Sequence, residues 1–192
     1  MKRLLMAGLC AAACAACTQN TPLGPSPAGA GAAPGAIGRS DVAVPTNFGA
    51  HLAGDQEVPP RDTAGQGQAI FQLNRDGTEL SYRLIASNIE NVIASHIHVG
   101  APEVNGPVVA FLFGNVPPAG GRTNGVLAVG SITASDLVGP LAGQPLSALI
   151  EAMQAGGTYV NVHTNDGVDP INTGAGDFPG GEIRGQIRQN GS

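Results

Sequence analysis

Residues 47–192 predict an all-β domain, a Greek-key sandwich or barrel carrying one short helix. Apolar and polar residues alternate through about eight short runs, the two-residue period of half-buried strands. Charged residues make up 12% of the chain, about half the ~25% of a typical soluble domain, while 29 glycines and 15 prolines furnish turns between the runs. A single stretch repeats its apolar residues at helical spacing. No internal repeat is visible.

The chain opens on a segment to be set aside before any fold reasoning. Met1-Lys2-Arg3 is a short positive region, and Leu4 to Ala16 is apolar and small. A bilayer-spanning helix takes roughly 20 residues, so this run reads as a secretory signal peptide, residues 1–16. It ends in Cys14-Ala15-Ala16-Cys17, which resembles a bacterial lipobox, with Cys17 the residue to be lipidated, although Cys14 stands where leucine is usual. Residues 17–46 then form a Pro-, Gly- and Ala-rich tether with neither strand nor helix periodicity. The expected product is an exported lipoprotein of the bacterial cell envelope, its membrane partner reached through the lipid anchor.

Two exclusions follow. All three cysteines lie at or before Cys17, so the folded domain has no disulfide to lean on. Removing Lys2 and Arg3 leaves seven arginines against 14 acidic residues, a formal charge of −7. Such a chain lacks the basic surface that nucleic acid demands. No protein partner is named by any motif.

From Asn47 the elements run in order. Phe48, Ala50 and Leu52 alternate with polar neighbours as a first strand, and Val58-Pro59-Pro60 ends it, because proline cannot donate to a ladder. Gly67 to Leu73 is the second strand, Asn74 to Thr78 a turn, and Leu80 to Ala86 the return of the hairpin. The His96-Ile97-His98 strand follows, then Val108 to Phe113 and Val126 to Ile132. Leu146, Leu149, Ile150 and Met153 recur at helical spacing, and Gly156-Gly157 stops that helix. Thr133 to Asp136 is placed to cap a shorter turn. Thr158 to Thr164 and Glu182 to Gln189 are the last strands, separated by a long loop bearing Asp166, Asp169 and Asp177.

Chemistry concentrates in two of these strands. Side chains alternate along a strand, so His96 and His98 share one face while Ile97 and Val99 share the other. In Tyr159-Val160-Asn161-Val162-His163-Thr164, Val160 and Val162 form the apolar face, with Asn161 and His163 opposite. The core claims the aliphatic faces, which leaves His96, His98 and His163 on the outward face of a sheet. Neutral imidazoles gathered there suit a transition metal such as copper or zinc. His51 is a further candidate ligand. The competing reading is a hydrogen-bonded cluster that pins loops over the sheet in a non-catalytic adhesion or protein-binding module. The loop aspartates fit no calcium-loop spacing and read as a solvated acidic loop. Neither a nucleophile–base pair nor a phosphate-binding loop is present.

Four blocks, Gly54 to Pro60, His96 to Gly100, Tyr159 to Thr164 and Phe178 to Gln186, resemble in sequence and order the CHRD (chordin-type) domain, over about residues 47–189. That family occurs in bacterial exported proteins and in animal chordin. A second similarity is to the strand order of Cu/Zn superoxide dismutase, in which a His-x-His strand precedes a Val-x-Val-His strand and an Arg-bearing final strand. It implies a superoxide-dismutase-like sandwich or barrel, an immunoglobulin-like one being the alternative, with His96, His98 and His163 on copper and Arg184 steering an anion in redox or superoxide chemistry; the residues themselves also allow Arg184 as the partner of Glu182, Glu57 or another acid. The chain departs from that enzyme in lacking a bridging histidine, a zinc-ligand cluster after His98 and a disulfide.

Overall fold

A computed structural model of the protein describes residues 47–190. The signal peptide, Cys17 and the tether assigned to residues 1–46 lie outside the described residues. Nine strands and one helix follow: β1 (Asn47–Ala53), β2 (Gln66–Leu73), β3 (Leu80–Glu90), β4 (Val92–Val99), β5 (Val108–Phe113), β6 (Arg122–Ile132), α1 (Leu146–Gln154), β7 (Thr158–Thr164), β8 (Ile183–Gln186) and β9 (Arg188–Gln189). The strands form one antiparallel sheet in the order β5-β4-β7-β8-β1-β2-β3-β6, with β9 beside β1. Hairpins β1–β2–β3 and β4–β5 are sequential, whereas β3–β6 and β4–β7 are long-range crossovers. The sheet is nearly closed into a barrel. Across the gap, the Tyr82 hydroxyl on β3 donates to the Leu112 carbonyl on β5 at 2.8 Å.

The predicted alternation fills the interior. Phe48, Leu52, Phe71, Leu84, Ile97, Val160, Val162 and Ile183 are fully buried in one cluster. Each such side chain contributes roughly 1.5–3 kcal/mol on leaving water. The helix adds Leu146, Leu149, Ile150 and Met153 to the same cluster. It ends where Gly156 takes φ +67°, a left-handed turn suited to glycine. Thr133 and Asp136 form the expected reciprocal cap, around a 3-10 turn. Among the described residues, no helix is long and apolar enough to cross a membrane.

Three strand boundaries differ from the sequence reading. β3 and β6 extend past the apolar runs read from the sequence, pairing Ile89 with Thr123 and Glu90 with Arg122 across a register shift, with Ile89 buried in the core. The final strand starts at Ile183 and breaks at Ile187. Glu182 lies just before it: its N–H donates to the Val162 carbonyl on β7 at 2.8 Å, while its carboxylate accepts from Thr63 Oγ1 and Thr164 Oγ1, both at 2.6 Å, and from the Gly176 N–H at 2.8 Å. Asp177 is also buried rather than solvated, with Oδ2 accepting from the Thr173 N–H and hydroxyl.

Candidate metal centre

The site is built on the outer face of β4, β7 and β8. Pairing sets Ala94 opposite His163, His96 opposite Asn161 and His98 opposite Tyr159; Asn161 in turn lies opposite Arg184 on β8. An antiparallel register places directly opposed residues on the same face, so all these side chains stand together away from the core. Ala94 is small and leaves room over β4 for the larger ring of His163.

This outward face is not open to solvent. His96 is only 9% exposed and His98 7%, while Tyr159, Asn161 and Arg184 are still more deeply buried. Two loops roof it. The loop after β4 returns so that the Gly106 carbonyl takes a hydrogen bond from His98 Nδ1 at 2.8 Å. Gly106 must be glycine here, since a Cβ would overlap the Val99 carbonyl oxygen. The turn before β8 brings the Pro179 carbonyl 2.9 Å from His163 Nδ1. Alternation located the shared face, but the roof is a long-range product of folding.

Those two carbonyls decide the tautomers. A carbonyl only accepts, so His98 and His163 both carry their proton on Nδ1 and present an Nε2 lone pair. His163 Nε2 lies 3.1 Å from His96 Nδ1, which therefore donates, leaving the lone pair of His96 on Nε2. The Nε2 atoms of His96 and His98 are buried and have no hydrogen-bond partner. Burial holds all three imidazoles below their ordinary range, His96 down to about 4, with the charges of His163 and His98 adding to its shift. His96 and His98 thus present unused lone pairs on neutral rings, the form a transition-metal ion requires, while the lone pair of His163 is engaged by His96.

One nitrogen from each ring comes within 4.8 Å of the others, and these three are the metal-capable group found among the described residues. Ligands 2.0–2.1 Å from one tetrahedral ion stand ~3.3 Å apart. The 3.1 Å between His96 Nδ1 and His163 Nε2 matches that spacing, but it is occupied by a hydrogen bond, so an ion held there would displace the His96 Nδ1 proton, and His98 is the ring that must draw in. Backbone carbonyls on the far nitrogens are the usual orienting partners of metal-binding histidines. The donor set fits. His51 does not join it, being exposed on β1.

Tyr159, on the middle strand of the three, links the cluster to Arg184. His98 stacks on its ring with centroids 4.8 Å apart and planes 8° from parallel, and the Arg184 guanidinium carbon lies 3.5 Å from the ring centroid. Arg184 donates to Asn105 Oδ1 at 3.2 Å and to the Ala101 and Val104 carbonyls at 3.1 Å, and it is 1% exposed. Its guanidinium thus ties down the roof rather than facing open solvent. Tyr159 was the residue overlooked, though its place two before Asn161 in the same alternation puts it on this face. Phe111 of β5 packs edge-on to His96, with centroids 4.9 Å apart, and stays half exposed at the margin.

An antiparallel barrel with a roofed three-histidine cluster on its outer face defines a class of β-domain with a preformed imidazole site. The sequence profile of the CHRD domain matches residues 48–187, and the chain belongs to the CHRD-domain family. No curated protein matches the chain.

Proposed function

We propose that this protein is an exported, lipid-anchored metal-binding protein of the cell envelope that holds copper, with zinc as the alternative, through His96, His98 and His163. The observation that carries the proposal is the pair of buried Nε2 atoms without partners beside a third imidazole whose tautomer is fixed toward them. Leaving buried acceptors unsatisfied costs roughly 1–3 kcal/mol each, and a bound ion would remove that cost. Three neutral nitrogens with no thiolate or carboxylate suit copper or zinc, and divalent copper stands highest in the affinity series. When bound, copper would supply one-electron redox chemistry. The protein's own part is to orient three rings, keep them unprotonated and hold water back beneath the two loops. Arg184 serves as a positioning residue, through Tyr159 and the roof, and superoxide or other redox activity is secondary to binding. Cys17 supplies the lipid, and residues 18–46 are the spacer. Nucleic acid is not a partner of so acidic a chain.

A second reading rests on the His96–His163 hydrogen bond, which gives the rings a scaffolding role without metal in an adhesion or protein-binding module. One titration separates the two. The full-length chain and a His96→Ala/His98→Ala/His163→Ala variant are titrated with copper and with zinc, following bound metal and melting temperature. One-to-one uptake with a raised melting temperature in the parent alone supports the metal site, since a ligand specific to the folded state stabilises it. No uptake by a parent that melts above the variant would assign the histidines to scaffolding.

A further inference from the structure

A second site lies on the same barrel and shares no ligand with the histidines. The 3-10 turn Gly54–Gln56, the segment after it, the roof loop at Pro102-Glu103 and residues Arg184, Gln186 and Arg188 of β8 and β9 line an open cavity of about 460 Å³. Val58, Pro60 and Pro102 give it apolar lining; Asp55 and Glu103, both exposed, give it acidic groups. Glu57 also lines it and is 4% exposed, yet its Oε1 has no hydrogen-bond partner. Gly181 lets the carboxylate sit there. It takes φ +126°, and a Cβ on it would collide with Glu57 Oε1.

The unpartnered Glu57 Oε1 sits at the wall of this cavity, packed against Gly181, and the neighbouring Arg61 Nε is also buried without a partner. Arg184 also lines the cavity, but its guanidinium already donates to Asn105, Ala101 and Val104 and lies over Tyr159. Arg184 on β8 and Arg61 on the following segment act on Glu57 through their charge alone, and neither donates to Oε1. A buried carboxylate oxygen without a donor is costly, and the partner that removes the cost is a charged N–H. An anion would meet three acidic side chains, Asp55, Glu57 and Glu103, against the exposed Arg188 that also lines the cavity. A cation with methylenes behind its charge would place them against the valine and prolines.

We propose that this cavity binds an organic cation, an ammonium or guanidinium group on a short aliphatic stem, with Glu57 as its anionic partner. The same group is offered by a small free amine or by a lysine or arginine side chain. Glu57 adds a signature of its own. Burial pushes its carboxyl up to about 7, against the lowering charges of Arg184 and Arg61. A bound cation favours the ionised form, so binding near neutral pH releases a proton from Glu57.

Calorimetry on the full chain tests this with two cationic probes, 1,4-diaminobutane and N-acetyl-arginine methylamide, and with butyrate as an anion. Each is run at pH 6.5 in two buffers of different ionisation enthalpy, so that proton release is read directly. The parent is expected to bind at least one cation with proton release, and not butyrate. Which probe binds tells the free amine from the side chain. Glu57→Gln keeps the side chain's shape and is expected to weaken binding by about 10–100-fold and abolish the release. Asp55→Asn/Glu103→Gln, at exposed positions, is expected to weaken it a few-fold and retain the release. Binding of neither cation, preference for butyrate, or equal affinity in Glu57→Gln would overturn the proposal. If Glu57→Gln fails to fold, unchanged affinity in the exposed double variant together with absent proton release in the parent overturns it as well. None of these outcomes depends on whether the histidines take metal.

Discussion

His96, His98 and His163 are held below the ordinary imidazole range by burial, while burial raises Glu57 to about 7, so these groups pull stability against pH in opposite directions. Between its ordinary value of 6.5 and its folded value of about 4, His96 refuses a proton that the unfolded chain accepts. Its contribution is therefore present above pH 6.5 and lost as pH falls toward 4, and the other two histidines act in the same sense. Glu57 does the reverse: from its ordinary 4.5 up to about 7 the folded chain keeps a proton that the unfolded chain has released. Its contribution is full below 4.5 and is lost as pH rises through 7. Three groups against one predict that the metal-free protein melts higher at pH 6.5 than at pH 4.5. Glu57→Gln should steepen that rise by on the order of 1–3 kcal/mol over the window, because the opposing group is gone. Melts of parent and variant across pH 4–7 decide it, and an unchanged slope would show that Glu57 carries no proton there. The sequence told little of this. Alternation put the histidines on one face, but burial of that face depends on carbonyls from Gly106 and Pro179, and Glu57 before Val58-Pro59-Pro60 reads as a structural acid bonding backbone amides, with nothing local to mark its raised carboxyl.

Strand β4 and the loop that folds back over it work as one element. The apolar rhythm of Ile97, Val160 and Val162 is legible because the core selects it, and so is α1, whose four apolar residues point one way. The return of residues 100–107 is not legible, since it rests on close approach at Gly106 and on backbone bonds from Val99 to Pro107 and from Gly100 to Gly157. Those contacts leave no periodic mark in a sequence. They make Gly106→Ala an informative substitution. The added methyl meets the Val99 carbonyl oxygen, which neither side of the loop can yield without lifting. The expected cost is about 1–3 kcal/mol in chemical denaturation. Lifting the loop also removes the acceptor that fixes the His98 tautomer. Loss of such an orienting partner typically weakens metal binding 10–100-fold. A variant destabilised as expected but with parental copper affinity would mean that His98 holds its orientation through Tyr159 stacking alone.

At the scale of the molecule, two layers are held by different forces. The barrel interior is apolar, and its fold class could be read from alternation, turns and low charge. The outer layer on β4, β7 and β8 is polar, roofed by loops, and held by directional bonds with several members left unsatisfied: His96 Nε2, His98 Nε2 and Asn161 Oδ1. The interior is covered by the barrel itself, whereas the half-satisfied polar layer is covered by two loops and loses its directional bonds when a roof loop lifts. Opening of the roof should therefore be a local event, cheaper than opening of β1–β2–β3, and a ligand that fills the lone pairs should suppress the local event first. Hydrogen exchange with and without bound copper or zinc reads this directly. At a free-metal concentration of about 100 Kd the ligand is worth ≈ 2.7 kcal/mol, so amides of 100–107 and 176–182 that exchange by lifting the roof should slow by about 100-fold. Amides of β1, β2 and β3 should slow only where they exchange through global unfolding. Protection spread evenly over the barrel, with no excess in the two loops, would mean that roof and barrel open together. The polar layer would then be an integral part of the core rather than a separate lid on the histidines.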